Sequence, residues 1–280
     1  MEDKYAAFLA ALAGLADSPT PSTRDEALMK AIVERLSNID SDPLFARGTG
    51  EDSIEAVNSE HPNTASGVAS FAFGSKSTAS GVGSFAGGDR HSSDVGNVAS
   101  GAASFAFGAG SVASGDLSVA FGALSVASAY YSFAAGYDAK ATGSAAVAFG
   151  QHSTAAANLS FAAGNSAETA DGAVISTAIG NHVSATGRAC LVSGQYNVLD
   201  DNPVDTSHGN GARKYIFIIG NGTADDARSN AITVDWDGNL VASGNVTADN
   251  IPAPPSSDGT YTLKVTMASG VATYAWVADT

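Results

Sequence analysis

Ala65-Ser66-Gly67-Val68-Ala69-Ser70-Phe71-Ala72-Phe73-Gly74 is a phrase that returns, altered but in step, as far as residue 198. Its closing glycine falls at Gly74, Gly88, Gly108, Gly122, Gly136, Gly150, Gly164, Gly180 and Gly194, at spacings of 14, 20, 14, 14, 14, 14, 16 and 14. A unit this short cannot bury an apolar face alone, so the copies must stack and cover one another as solenoid coils do. Within each copy the residues before the glycine alternate with period two, the signature of a half-buried strand. Phe71 and Phe73 therefore point one way and Ala72 the other.

The residue before each glycine is often large and small by turns: Phe73, Gly87, Phe107, Phe121, Ala135, Phe149, Ala163, Ile179, Ser193. Neighbouring strands lie ~4.8 Å apart, so a small residue beside a phenyl relieves crowding. The opposite position is alanine from Ala72 through Ala178, then Val192. This alanine face is expected to pack closely against something. A second short strand follows each glycine, with small residues at alternate places such as Ser111, Ala113 and Gly115. Nine such coils make a thin roll only ~43 Å tall. Its small interior and regular alanine face predict side-by-side self-association into a symmetric homo-oligomer.

The phrase resembles the head repeat of the YadA-type trimeric adhesins, whose usual form is Asn-Ser-Val-Ala-Ile-Gly-x-x-Ser-x-Ala-x-Gly. Ser118-Val119-Ala120-Phe121-Gly122 with Ser125 and Ala127 carries the likeness, as does Ala146-Val147-Ala148-Phe149-Gly150 with Ser153 and Ala155. The resemblance covers about half the chain. It implies a mainly β fold, a left-handed parallel β-roll of about nine 14-residue coils in a homotrimer. Handedness and the number three come from the resemblance alone.

Around the roll (65–198) the chain divides into an N-terminal helical segment (1–40), a linker (41–64), a capping or neck β region (199–250) and a C-terminal β-hairpin knob (251–280). Apolar residues at helical spacing predict a short helix over 4–16. A capping box at Thr23 and Glu26 opens a second, whose stripe is Leu28, Ile32, Leu36 and Ile39. Helices this short are marginal alone, so the stripe is a candidate docking or trimerisation surface. Pro19-Thr20-Pro21-Ser22-Thr23-Arg24 followed by Glu26 resembles N-terminal segments of structural proteins of phages from Gram-positive gut bacteria.

Tyr215 to Ile219 is the most hydrophobic run and is expected to be covered on both faces, closing the open end of the roll. Asp235-Trp236-Asp237-Gly238-Asn239 lacks the remaining ligands of a calcium loop and reads as a hairpin turn between Ala231–Val234 and Leu240–Ala242. The stretches Ile219–Thr223, Ala227–Ala231 and Val234–Asn239 resemble a segment recurrent in phage fibre proteins. Pro252, Pro254 and Pro255 mark a semi-rigid linker. Residues 260–267 and 271–277 alternate as a terminal hairpin resembling that of phage head-fibre and tail-fibre proteins.

The roll has two interruptions. Six extra residues near Asp89 to Val98 must bulge outward, and two more between Gly164 and Gly180 make a smaller bulge near Asp171 and His182. Loops on a rigid scaffold are where binding commonly resides. Arg90, His91 and Asp94 in the first bulge, with Tyr261, Tyr274 and Trp276 in the knob, are the candidate surface-binding residues.

Composition excludes several classes. The formal charge is −15 with only 13 Lys and Arg, so nucleic acid is not an expected partner. No apolar stretch approaches the ~20 residues of a membrane-spanning helix. The start Met1-Glu2-Asp3-Lys4 shows no export signal, which together with the absence of a membrane barrel departs from the adhesin pattern. The single Cys190 excludes an intrachain disulfide and reads as a small buried hydrophobe. The five histidines are scattered and suit no metal site. Residues 199–213 read as an acidic linker, and no nucleophile elbow or phosphate loop occurs.

A non-enzymatic trimeric fibre without cofactor is therefore expected. On this reading it belongs to a tailed-phage capsid or tail, with a capsid or tail/baseplate protein at one terminus and a host surface glycan or protein as ligand. A bacterial surface adhesin and a purely structural capsid decoration or spacer are the alternatives, so the location is the virion surface or a bacterial cell surface.

Overall fold

The structure is a computed structural model and describes residues 45–57, 60–89, 95–200, 214–244, 261–268 and 271–278. The expected N-terminal helices, with Leu28, Ile32, Leu36 and Ile39, lie outside the described residues, as do Arg90, His91 and Asp94.

Mainly parallel β-structure fills the rest: a solenoid of about ten coils whose two sides are a 14-stranded and a 9-stranded sheet. Each coil gives one longer strand, such as Val119–Ala123, and one two-residue strand, such as Val126–Ala127. The phrase glycines lie in register from coil to coil, Gly88 on Gly108, Gly122 on Gly136 and Gly180 on Gly194. Neither insertion shifts the register. Gly88 still pairs with Gly108 across the first, and Gly164 with Gly180 across the second. The two-residue insertion is confined to the turn at Ala170–Gly172, where Gly172 adopts φ +85°. His182 stands apart from it, in the turn column of the next coil.

The glycines are required twice over. Gly122 has φ +117°, and a Cβ there would stand 2.1 Å from the carbonyl oxygen of Gly136 in the next coil. Each turn also holds one residue in the left-handed region, and the N–H of that residue bonds the coil below. Leu117 N donates to Ala102 O and Asp138 N to Ala123 O, both at 2.8 Å. Backbone donors are thus satisfied around the whole circumference.

The interior corrects the expectation drawn from the alanine face. Ala72, Ala106, Ala120, Ala134, Ala148 and their equivalents are wholly buried, and they meet Ala79, Ala99, Ala113, Ala127 and Ala141 of the shorter sheet. What packs against the alanines is the other side of the same coil. The argument that they call for a partner chain therefore fails, and the surface left in water is the phenylalanine side.

Serines line the corners of the interior. Ser132 and Ser160 donate to carbonyls three residues back at 2.7 and 2.6 Å. The hydroxyls of Ser70, Ser84, Ser104, Ser118 and Ser176, in the same column, are buried without a hydrogen-bond partner. Cys190 occupies that column too and is buried as expected; burial pushes its thiol upward.

Where the repeat begins, is interrupted or ends, asparagine replaces the small residue of the other corner. The amide of Asn97 donates to Asp89 O and Gly108 O and accepts from Ser111 N and Oγ. Asn63 does the same between Ala56 O, Gly74 O and Ser77 N at the start. Asn197 caps Ser184, in the last strand of the shorter sheet, through both its N–H and C=O.

Tyr215–Asn221 covers the edge of Leu191–Gln195, as expected, but as a further rung, and the expectation that both its faces are covered is corrected. It runs parallel to Leu191–Gln195 with Gly220 on Gly194, and only Ile218 and Gly220 are buried. Its other face stays half-exposed as on every coil. Closure is completed by Asn230–Asp235 and Leu240–Ala242, added antiparallel at that end. The carboxylate of Asp235 accepts from the backbone N–H of Asp237 and of Asn239 and from the Asn239 amide, the hairpin turn read from the sequence. At the opposite end Phe45–Arg47 pairs antiparallel with Ile54–Ala56, and Glu55 accepts from Ala65 N at 2.9 Å.

The C-terminal hairpin forms a sheet of its own, Tyr261–Ala268 against Val271–Ala278.

Candidate functional site

The longer strands put three columns on the outer face of their sheet. The first two are apolar except for Thr177 in one and Ser193 in the other. Phe105, Val119, Phe133, Val147 and Phe161 stand in one, and Phe107, Phe121, Ala135, Phe149 and Ala163 in the next. In the lower coils the rings shelter one another: Phe85 and Phe105 stack at 4.8 Å with planes 2° apart, and Phe71 and Phe85 at 5.3 Å. Above Phe107 the pattern becomes a chequerboard, each phenyl set beside a smaller residue on the adjoining strand. Phe121 is then 50% exposed, Phe149 57% and Ile179 45%. Rigid, flat apolar faces of this kind are typical of protein contact surfaces.

The third column, after the glycine, is polar from mid-height: Tyr137, Gln151, Asn165, Asn181, Gln195 and Asn221. Asn165 donates to Asn181 at 3.1 Å. The column gives the apolar face a hydrophilic border, as the rim of an interface does.

Two ionic clusters flank this border. Asp138 accepts from Lys140 Nζ at 3.0 Å and approaches His152 Nδ1 at 3.1 Å, while the His152 ring meets Tyr137 edge-on. Burial pushes the Asp138 carboxyl up, but the hydrogen bonds and charges of Lys140 and His152 outweigh it and hold it below the usual aspartate range. Higher up, His182 stacks on Tyr196 at 4.8 Å and lies 3.4 Å from Asp225. Arg228 pairs with Asp225 and donates to His182 O and Asn197 O, pinning the 222–229 loop to the roll. Among the described residues no group of three or more His, Cys, Asp or Glu gathers as a metal site, and no helix is long and apolar enough to cross a membrane.

Of the binding candidates read from the sequence, the structure places only those of the knob. Its register pairs Tyr261 with Ala278, Leu263 with Trp276 and Val265 with Tyr274. Trp276 is partly buried. The sequence reading missed Tyr130 and Tyr131, which project from a turn of the roll, 48% and 55% exposed. The signal was present: two tyrosines follow Ala129 where no other copy carries an aromatic residue.

Residues 65–90, 99–125 and 113–139 match the YadA head domain repeat (2 copies). No curated protein matches the chain. The coils from Lys140 to Gln195 keep the register of the matched ones, so the repeat architecture runs on beyond the residues matched.

Proposed function

We propose that the chain is a non-enzymatic trimeric fibre of a tailed bacteriophage virion, displayed on the capsid or tail and attaching the particle to a host cell or its surface glycan. The observation that carries the assembly is the apolar face from Phe71 to Ile219, exposed on a scaffold whose interior is already closed by alanine. Three copies that turn this face to a common axis bury it and leave the acidic turns in water; the likeness to YadA heads supports the number three. The phage assignment rests on the resemblances at residues 19–26, 219–239 and 260–277. A bacterial surface adhesin is the second reading, favoured equally by the head repeat.

Antibody labelling on particles released from the source organism, viewed by negative-stain electron microscopy, tests the assignment. Label on capsid or tail supports the fibre and says which it is. Label confined to cells overturns it in favour of the adhesin.

A further inference from the structure

The turn before each longer strand presents two outward residues; some pairs are small, as at Val82/Gly83, Ala102/Ala103 and Ser144/Ala145, others carry Leu117, Leu159 or Ile175, and a single pair is aromatic. In the coil that begins after Ala129 both are tyrosine. The two rings lie 4.0 Å apart with planes at 59°, and their hydroxyls are 3.2 Å apart. Tyr131 is held at φ 58° by its N–H bond to Asp116 O. A bulky residue in that region costs roughly 1–2 kcal/mol, and a half-exposed ring recovers little of it by burial. Gly83 and Ala145 show that the turn forms without such rings. The fold therefore does not require the tyrosines.

Their neighbours in the turn column are polar. One coil up, ~4.8 Å along the roll, Ser144 and Ala145 form a low floor. Two coils up, Asn158 accepts from Ser144 N at 2.9 Å through Oδ1, which leaves its NH2 group without a partner among the described residues. The Ser144 hydroxyl has none either. One coil down, Asp116 uses Oδ1 to accept from Ala102 N at 2.8 Å and keeps Oδ2 available. The turn column thus sets the aromatic pair between a carboxylate one coil down and a hydroxyl and an amide donor one and two coils up, a stretch of about 14 Å at ~4.8 Å per coil.

We propose that this stretch of the turn column binds a short run of sugar units of a surface glycan. A pyranose has an apolar C–H face, which the tyrosine rings accept, and a rim of hydroxyls that both donate and accept. Asn158 offers the donor, Asp116 the acceptor and Ser144 either. The rigid turn holds these groups before the ligand arrives, so little entropy is lost on binding. The site rests on the attachment reading above and gives it a place on the roll.

The test is a printed array of bacterial cell-surface and mammalian glycans, probed with the full chain. The variants are Tyr130→Ser/Tyr131→Ser and Ser144→Trp, which fills the floor. Wild type binds a subset of glycans. Both variants bind that subset about tenfold more weakly or worse, with molecular mass by sedimentation and melting temperature unchanged. Equal binding by the variants overturns the site. So does an altered mass in the tyrosine variant, which would make the pair a chain-to-chain contact. A wild type that attaches to cells but to no arrayed glycan also overturns it while leaving attachment intact, whereas failure to attach to cells at all counts against the fibre reading itself.

Discussion

Phe149→Ala tests whether the outer face is where the chains meet. Phe149 is 57% exposed, and the residues beside it on the adjoining strands are Ala135 and Ala163. A phenylalanine presents about 200 Å², so roughly 110 Å² stays in water on a lone chain. At about 25 cal/mol per Å², and allowing for the methyl that alanine keeps, its burial between chains is worth about 2 kcal/mol per copy. Three copies give roughly 6 kcal/mol, or about 10⁴ in the trimer dissociation constant. The midpoint concentration for three chains joining varies as the square root of that constant, so it should rise about 100-fold. Sedimentation velocity across a dilution series reads the midpoint directly. Val82→Ser, at a residue 60% exposed on a turn, is the control and should leave it in place. A shift below about threefold in Phe149→Ala, or a wild type that is monomeric at every concentration, would refute the reasoning.

Three further outcomes follow from the packing. Gly122→Ala forces a methyl to 2.1 Å from Gly136 O at φ +117° and should lower stability by about 3 kcal/mol or more, read by denaturant midpoint. Asn97→Ala leaves the groups it joins without partners and should cost about 2–4 kcal/mol, whereas Ser104→Ala removes an orphaned hydroxyl and should be neutral or slightly stabilising in the same assay. The folded-state pKa of Asp138 is depressed, so its contribution is present above the unfolded aspartate value of about 4 and is lost as pH falls through the folded value. Asp138→Asn should therefore melt below wild type at pH 7, with the gap closing as the pH drops below about 4; a gap independent of pH would show that the carboxylate charge is not responsible.

The period of the roll was legible because a stacked coil repeats every constraint at the same place. The glycines, the alternation and the insertions at residues 89–98 and near Asp171 all follow from a backbone that returns to itself each turn. Which face was inside was harder to see. Alternation separates Phe71 and Phe73 from Ala72, but it does not say which side closes, and the apolarity of phenylalanine suggests the wrong one. Geometry decides it: two strands joined by tight turns leave space only for alanine and serine, so the rings are driven outward. Tyr215–Asn221 misled for a related reason. Its hydrophobicity suggested coverage on both faces, yet 26 residues after Gly194 it resumes the register with Gly220, a spacing too irregular to announce itself as a coil. Tyr130 and Tyr131 were passed over because an aromatic pair in a turn has no period at all.

The same geometry links the fold to assembly. An interior of alanine buries little apolar area per residue, because each methyl is small and, among the described residues, no larger apolar side chain is enclosed below Val183. The lone chain is thus held mainly by its ladders of backbone hydrogen bonds, whose net contribution in water is modest. The large hydrophobic gain available to this sequence lies on the outer face, where Phe121, Phe149 and Ile179 remain wet until another chain arrives. Only beyond Val183 do Val192 and Ile218 thicken the interior, next to the antiparallel strands that close the roll. That end is the best-filled part of the roll, and the coils below it carry most of their large apolar side chains on the outer face.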